Sequence, residues 1–182
     1  PLYPLFKGKY LKKNKVIIDS KSGYSGAGRG ILKKAKKINL FKSLSAYGIP
    51  NHRHNAEISQ ELSYLSNENK FNFTPHLLPM FRGILSTIYV EKKETISTKK
   101  ILNFLIKFYK KHKFIRIYKK NTLIGTKNVI NTNYCDISIC ETNDSNRLVI
   151  LSAIDNLIKG GAGQAIQNLN IKFGFKIDEG LI

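Results

Sequence analysis

FIRIY (114–118), VINTNYCDISIC (129–140) and RLVILSAI (147–154) follow one another with only Asn-, Asp- and Gly-bearing turns between them. Each stretch is rich in β-branched or aromatic residues and reads as a strand. Along the whole chain strands and helices are mixed without the regular β-α alternation of a parallel Rossmann sheet. The expected class is therefore α+β, with a mixed, largely antiparallel sheet and helices packed on one face.

Upstream, STKKILNFLIKFYKKHK (97–113) repeats Ile101, Phe104, Leu105 and Phe108 at helical spacing and ends in Lys and His, where cations suit the helix dipole. FNFTPHLLPMFRGILSTIYV (71–90) reads as a strand, a Pro-bounded turn, and a central strand from Phe81 to Val90. AEISQELSYLS (56–66) places Ile58, Leu62 and Leu65 on one helical face, so a helix is expected from about Asn55 to Ser66. Residues 1–13 read as the end of a helix and a basic turn, and VIID (16–19) as a short buried strand. Downstream, IKGGAGQAIQNLNIKFGF (158–175) turns through glycines into a helix beginning near Gly163.

The chain has 182 residues, which suits one domain, and its ten Phe and nine Tyr favour a folded core over a disordered tail. A net charge of +19 attracts phosphates of any kind. Lys, Asn and Ile are all abundant, as in chains encoded by AT-rich genomes, so coding bias and a functional basic patch both remain open. Cys135 and Cys140 form neither a disulfide framework nor a zinc spacing, and on one strand they would face opposite sides. A reducing, cytoplasmic setting fits. No run reaches the roughly 18 apolar residues of a membrane span. PLYPLFKGKYLKK (1–13) lacks a Met and the order of a signal peptide, so the chain is expected to be a domain from within a longer protein.

Two stretches bear on chemistry. KSGYSGAGRG (21–30) resembles a phosphate-cradling loop, but a dinucleotide fingerprint fails at Ile31 and a Walker loop fails at Arg29 and Gly30. It either approaches an anion closely or merely connects elements. GIPNHRHNAEI (48–58) brackets Arg53 with His52 and His54 just before the expected helix. Histidine moves protons near neutral pH, and an adjacent Arg binds carboxylate or phosphate. That pairing suits an acid/base group acting on an anion, although a solvated basic turn has the same composition. No metal site is expected, because no further Cys or His completes one, and Ser25 lacks the final glycine of a nucleophile elbow.

Together, SGYSGAGR (22–29), AYGIPNHRHNAEI (46–58), FTPHLLPMFRGIL (73–85), NTNYCDI (131–137) and SAIDNLIKGGAGQAIQNLN (152–170) resemble the N-acetyl-gamma-glutamyl-phosphate reductases of arginine biosynthesis, in the same order. The resemblance implies a single C-terminal catalytic and dimerisation domain over 1–182, like that of semialdehyde and glyceraldehyde-3-phosphate dehydrogenases. It also implies an NADP-binding Rossmann domain and a nucleophilic Cys outside this chain, so that the fragment alone is inactive. By the same resemblance His52 is the acid/base residue, although Asn51 replaces the usual preceding glycine and Asn55-Ala56 the usual Thr-Pro. Ser25 and Gly26 are expected to bind substrate, and Arg29, Arg53, His54 and Arg82 to bind its carboxylate or phosphate. Gly161, Gly163 and Gln164 are expected to meet the nicotinamide of NADP, and the implied assembly is a dimer or tetramer. Cys135 and Cys140 are read as structural.

The alternative is a basic nucleic-acid-binding module. It requires tight DNA or RNA binding that weakens steeply with salt, which a filter-binding titration reads directly. The reductase reading expects no such binding at moderate salt.

Overall fold

The computed structural model describes residues 1–12, 16–27, 42–65 and 70–181. Its elements are α1 (Leu2–Lys7), β1 (Val16–Gly23), β2 (Ser45–Ala46), α2 (Arg53–Ser63), β3 (Phe71–Leu78), β4 (Ile84–Glu91), α3 (Thr98–Tyr109), β5 (Ile115–Ile117), β6 (Cys135–Glu141), β7 (Arg147–Ile154) and α4 (Gly163–Phe173). The strands form one seven-stranded sheet in the order β2-β3-β1-β4-β7-β6-β5. β1 runs parallel to β3 and β5 parallel to β6, while β1/β4, β2/β3, β4/β7 and β6/β7 are antiparallel.

Side chains alternate across a strand, so register decides what each face carries. Ile18 on β1 pairs with Ile88 on β4, which pairs with Ile150 on β7, which pairs with Ile139 on β6. This isoleucine row is buried beneath Leu5 and Phe6 of α1, Leu62 of α2, and Ile101 and Leu105 of α3. Burial of each such side chain is worth about 1.5–3 kcal/mol. Helices therefore cover one face, as expected from the sequence. Two residues further along the strands, the row becomes Ser20, Ser86 and Ser152. The helix-covered face thus passes from an apolar core to a hydroxyl-bearing strip.

On the opposite face a smaller cluster of Ile124, Val129 and Ala153 packs with Leu85, Tyr118, Tyr134 and Leu151. There the buried carboxylate of Asp136 accepts hydrogen bonds from Arg116 Nε (2.5 Å) and Nη2 (3.0 Å) and from Tyr118 Oη (3.0 Å). Paired with Asp136, and despite some opposing burial, the Arg116 guanidinium holds its proton more tightly than usual.

Several boundaries differ from the sequence reading. β1 continues to Gly23, through the start of the glycine stretch, because β3 and β4 pair with it along its length. β3 runs through Pro75 instead of turning there. The short β2 meets β3 only at His76 and Leu77, and the Pro75 carbonyl accepts the Tyr47 N–H (3.1 Å), so no ladder donor is needed at 75. Phe81 and Arg82 form a turn in which Tyr24 N donates to Met80 O and Ser25 N to Phe81 O, so the central strand begins at Ile84. Of the strand expected over 129–140 only the part from Cys135 forms, as Cys135–Glu141, and α2 starts at Arg53 rather than Asn55. Cys135 and Cys140 do face opposite sides of β6: Cys135 joins the main core and Cys140 Sγ lies 4.0 Å from Thr122 O.

Ile150 is fully buried at the centre of the isoleucine row. Ile150→Ala is expected to lower the free energy of unfolding by about 2–5 kcal/mol. A denaturant melt that shifts by less than 1 kcal/mol, as a surface site would, contradicts this placement.

Candidate active site

Above the serine row lies a cavity of about 770 Å³. Its floor includes Ile18, Ser20, Ser22, Ile84, Ser86 and Ile154, and its walls include Tyr47, Asn51, His52, Arg53, His54, Glu57, Phe73 and Asn156. Two wall positions follow from local sequence. Gly48 has φ +67°, and a Cβ there would lie 3.0 Å from His52 Cδ2, so the turn before α2 closes on the imidazole only with glycine. The Ile49–Pro50 peptide in this turn is cis.

His52 is the N-cap of α2, extended at φ −72°, ψ 137°, and its Nδ1 accepts the His54 backbone N–H at 3.1 Å. A backbone N–H can only donate, so Nδ1 of the neutral ring carries a lone pair and Nε2 carries the proton. The ring is held edge-on by Tyr47 (5.3 Å between centroids), His54 (4.6 Å) and Phe73 (5.3 Å). Burial, then the charges of His54 and Arg53, lower its pKa below the ordinary 6.5, against an opposing pull from Glu57. Burial also raises the Tyr47 hydroxyl, partly offset by Arg53.

The residues expected from sequence fall into four groups. His52, Arg53, His54 and Gly26 line the cavity, and Ser25 sits at its edge, where its hydroxyl accepts from Asn156 Nδ2 at 2.9 Å. Arg82 is outside the lining: its Nε lies 2.6 Å from Oδ2 of the fully buried Asp155. Asp155 also accepts backbone N–H bonds from Asn131 (2.7 Å), Leu157 (2.8 Å) and Ile158 (3.0 Å). Burial acts to raise this carboxyl, but Arg82 and the three N–H groups outweigh it and leave the pKa below the usual range. Arg29 lies outside the described residues.

Gly161, Gly163 and Gln164 lie past the cavity edge, which this segment reaches through Gly160. A Cβ at Gly163 would come within 2.5 Å of Ile158 Cγ2 and 2.6 Å of Asn133 Oδ1, so close packing requires that glycine. Gln164 occupies the first turn of α4, and its Nε2 donates to Asn168 Oδ1 at 2.9 Å. Among the described residues no group of three or more His, Cys, Asp or Glu could hold a metal, and no helix is long and apolar enough to cross a membrane.

Sequence reasoning missed Tyr47, Asn156 and the serine floor. The pattern of β1 carried a signal: Val16, Ile18, Ser20 and Ser22 share one face, and the switch from apolar to hydroxyl marks where the core ends.

A mixed seven-stranded sheet with helices on one face, and a histidine-capped helix over its polar end, defines an α+β domain of the semialdehyde dehydrogenase fold. Aspartate semialdehyde dehydrogenase II from Vibrio cholerae matches with a TM-score of 0.67 at 14% identity, over 93% of this chain and 57% of that one. The aspartate semialdehyde dehydrogenase of Francisella tularensis matches at 0.66 and 15%, over 93% and 60%. At such identities these likenesses speak to fold alone.

The chain belongs to the semialdehyde dehydrogenase dimerisation domain family, whose model matches residues 1–156. It is 47% identical over 185 residues to the N-acetyl-gamma-glutamyl-phosphate reductase of Campylobacter jejuni subsp. doylei, covering 99% of this chain and 53% of that one. It is 42% identical over 181 residues to the reductase of the same name from Staphylococcus aureus strain USA300, with the same coverages. The chain spans about half the length of the curated relatives it matches.

The lowered His52 pKa has a signed consequence. The unfolded chain binds this proton more readily, so the stability His52 contributes is complete above about 6.5 and is lost as pH falls through the lowered folded value. Imidazole nitrogen NMR is expected to find the Nε2–H tautomer at pH 7.5 and a midpoint below 6.5. A resting Nδ1–H tautomer contradicts the cap.

Proposed function

We propose that this chain is the substrate-binding and acid/base half of an NADP-dependent reductase that converts N-acetyl-glutamyl 5-phosphate to N-acetyl-glutamate 5-semialdehyde and phosphate. The observation that carries the reading is the cavity, where a pinned histidine and a cationic wall adjoin an uncharged floor. Relatives that share 42–47% of its residues bear the reductase name, and the activity is brought to this chain from them.

In this reading the nucleophilic thiolate belongs to the part of the protein outside this chain. Arg53 and His54 flank the entry to the cavity and attract the phosphate or carboxylate of the substrate. His52 presents Nε2–H, a donor aimed by its cap and by three rings, to the charge that develops on sulfur or on the reacting carbonyl oxygen. Because Nε2 already bears the ring proton, a further proton is taken up at Nδ1, which must release the His54 N–H to accept it, so proton uptake is coupled to loosening of the first turn of α2. Arg82 acts at a distance: by neutralising Asp155 it holds the turn that carries Asn156 and Gly160 to the cavity edge.

NADPH, when bound, supplies the hydride. The Gln164 carboxamide, on the first turn of α4 and steadied by Asn168, fits pairing with another carboxamide, and Gly161 with Gly163 allows the tight turn beneath it. A second copy of the chain is the expected partner, consistent with the family's description. Exposed Ile17 and Tyr89, cross-strand neighbours on the sheet face away from the helices, offer it an apolar contact. The setting of the whole enzyme is cytoplasmic.

In the full-length protein, His52→Ala is expected to reduce kcat by about 10²–10⁴-fold. Stopped-flow measurement of NADPH consumption checks this, and a wild-type rate removes His52 from the mechanism.

A further inference from the structure

The cavity floor is built differently from its wall. Ser20 and Ser22 are each 8% exposed, and Ser20 Oγ lies 2.7 Å from Ser86 Oγ. In such a pair one hydroxyl donates to the other, which leaves the second free to donate outward while both retain lone pairs. The pair can therefore satisfy a group that both donates and accepts. Ile18, Ile84 and Phe73 flank it. Among the described residues no carboxylate shares the floor: Asp19 lies on the opposite face of β1, with Lys21 Nζ at 2.7 Å and His76 Nδ1 at 3.0 Å. Among the described residues Glu57 is the only acidic one in the lining, and it is exposed on α2.

We propose that the Ser20–Ser86 hydroxyl pair, with Ile18, Ile84 and Phe73 beside it, is the subsite that takes the acylated α-amino group of the substrate and rejects a free ammonium. The proposal rests on the reductase reading and deepens it. A secondary amide donates one N–H and offers one carbonyl oxygen, which the serine pair matches, and its methyl group meets the isoleucines. An ammonium would lose its water at a floor that holds no counter-charge, which is costly.

Dimensions agree. His52 packs on Phe73, and Pro75, the partner of Ser20, lies two residues further along β3, about 7 Å away. The reacting acyl carbon and the α-nitrogen of a glutamyl chain are four bonds apart, each about 1.5 Å long. Extended, those four bonds span about 5 Å, and hydrogen bonds of about 3 Å at each end cover the remainder of the separation.

The test uses the full-length protein oxidising N-acetyl-glutamate 5-semialdehyde with NADP and phosphate, with N-acetyl-L-glutamate and L-glutamate as competing inhibitors. In the wild type, N-acetyl-L-glutamate is expected to inhibit at least tenfold more tightly than L-glutamate. In Ser20→Ala/Ser86→Ala that ratio is expected to fall by about tenfold, in line with lost neutral hydrogen bonds, with KM raised and kcat little changed. The single variants Ser20→Ala and Ser86→Ala, each keeping one hydroxyl, are expected to give intermediate ratios and serve if the double variant does not fold. A wild-type ratio in an active double or single variant overturns the subsite. A wild-type enzyme that does not oxidise the acetylated semialdehyde at all overturns the reductase reading instead.

Discussion

The hydrogen bond from the His54 backbone N–H to His52 Nδ1 organises the candidate site. It ends the irregular turn after Pro50, starts α2, and fixes which imidazole nitrogen is available to the cavity. Because the bond serves as a helix cap, worth about 1 kcal/mol, the orientation of a chemical group and the local stability of a helix share one contact. Burial, and after it the neighbouring cations, favour the neutral ring, which is also the form the cap requires. Charge, tautomer and secondary structure therefore reinforce one another near neutral pH, and acid opposes all three.

A second buried group secures the far edge of the cavity. Asp155 follows directly on β7, and its carboxylate gathers Arg82, Asn131, Leu157 and Ile158. A buried carboxylate is tolerable only when it is so fully satisfied. Its neighbour Asn156 links Gly83 N–H (2.6 Å) to the Ser25 hydroxyl, so the end of β7, the turn before β4 and the segment after β1 are set by adjoining residues. The wall that carries His52 and the rim that carries Asn156 are thus fixed by different parts of the chain.

Much of this was legible in the sequence because it is local and periodic. Ile101 and Leu105 recur at helical spacing, and both are fully buried. β6 and β7 are dense in β-branched residues, and the lack of regular β-α alternation gave the largely antiparallel arrangement. Other features are long-range. Nothing adjacent to Arg82 announces Asp155, so a guanidinium that looked free for substrate is engaged with a buried carboxylate. Pro75 read as a turn, and only the ragged pairing of β2 explains how a strand passes through it. The serines of β1 look like ordinary polar strand residues until register aligns them with Ser86 and Ser152.

The domain that results has a core under one part of its sheet and a chemically graded cavity under the next, separated by two residues of strand. The grading runs from a cationic, proton-bearing wall to a neutral floor, the order in which an acylated amino-acid phosphate would present its groups. The most direct test of this account is a crystal structure of the full-length protein with N-acetyl-L-glutamate bound. The expected result is ligand density inside the cavity, with the amide on Ser20 and Ser86 and the side-chain carboxylate beneath His52. Density for the ligand elsewhere, with the cavity between Ser20 and His52 empty of it, would contradict the account.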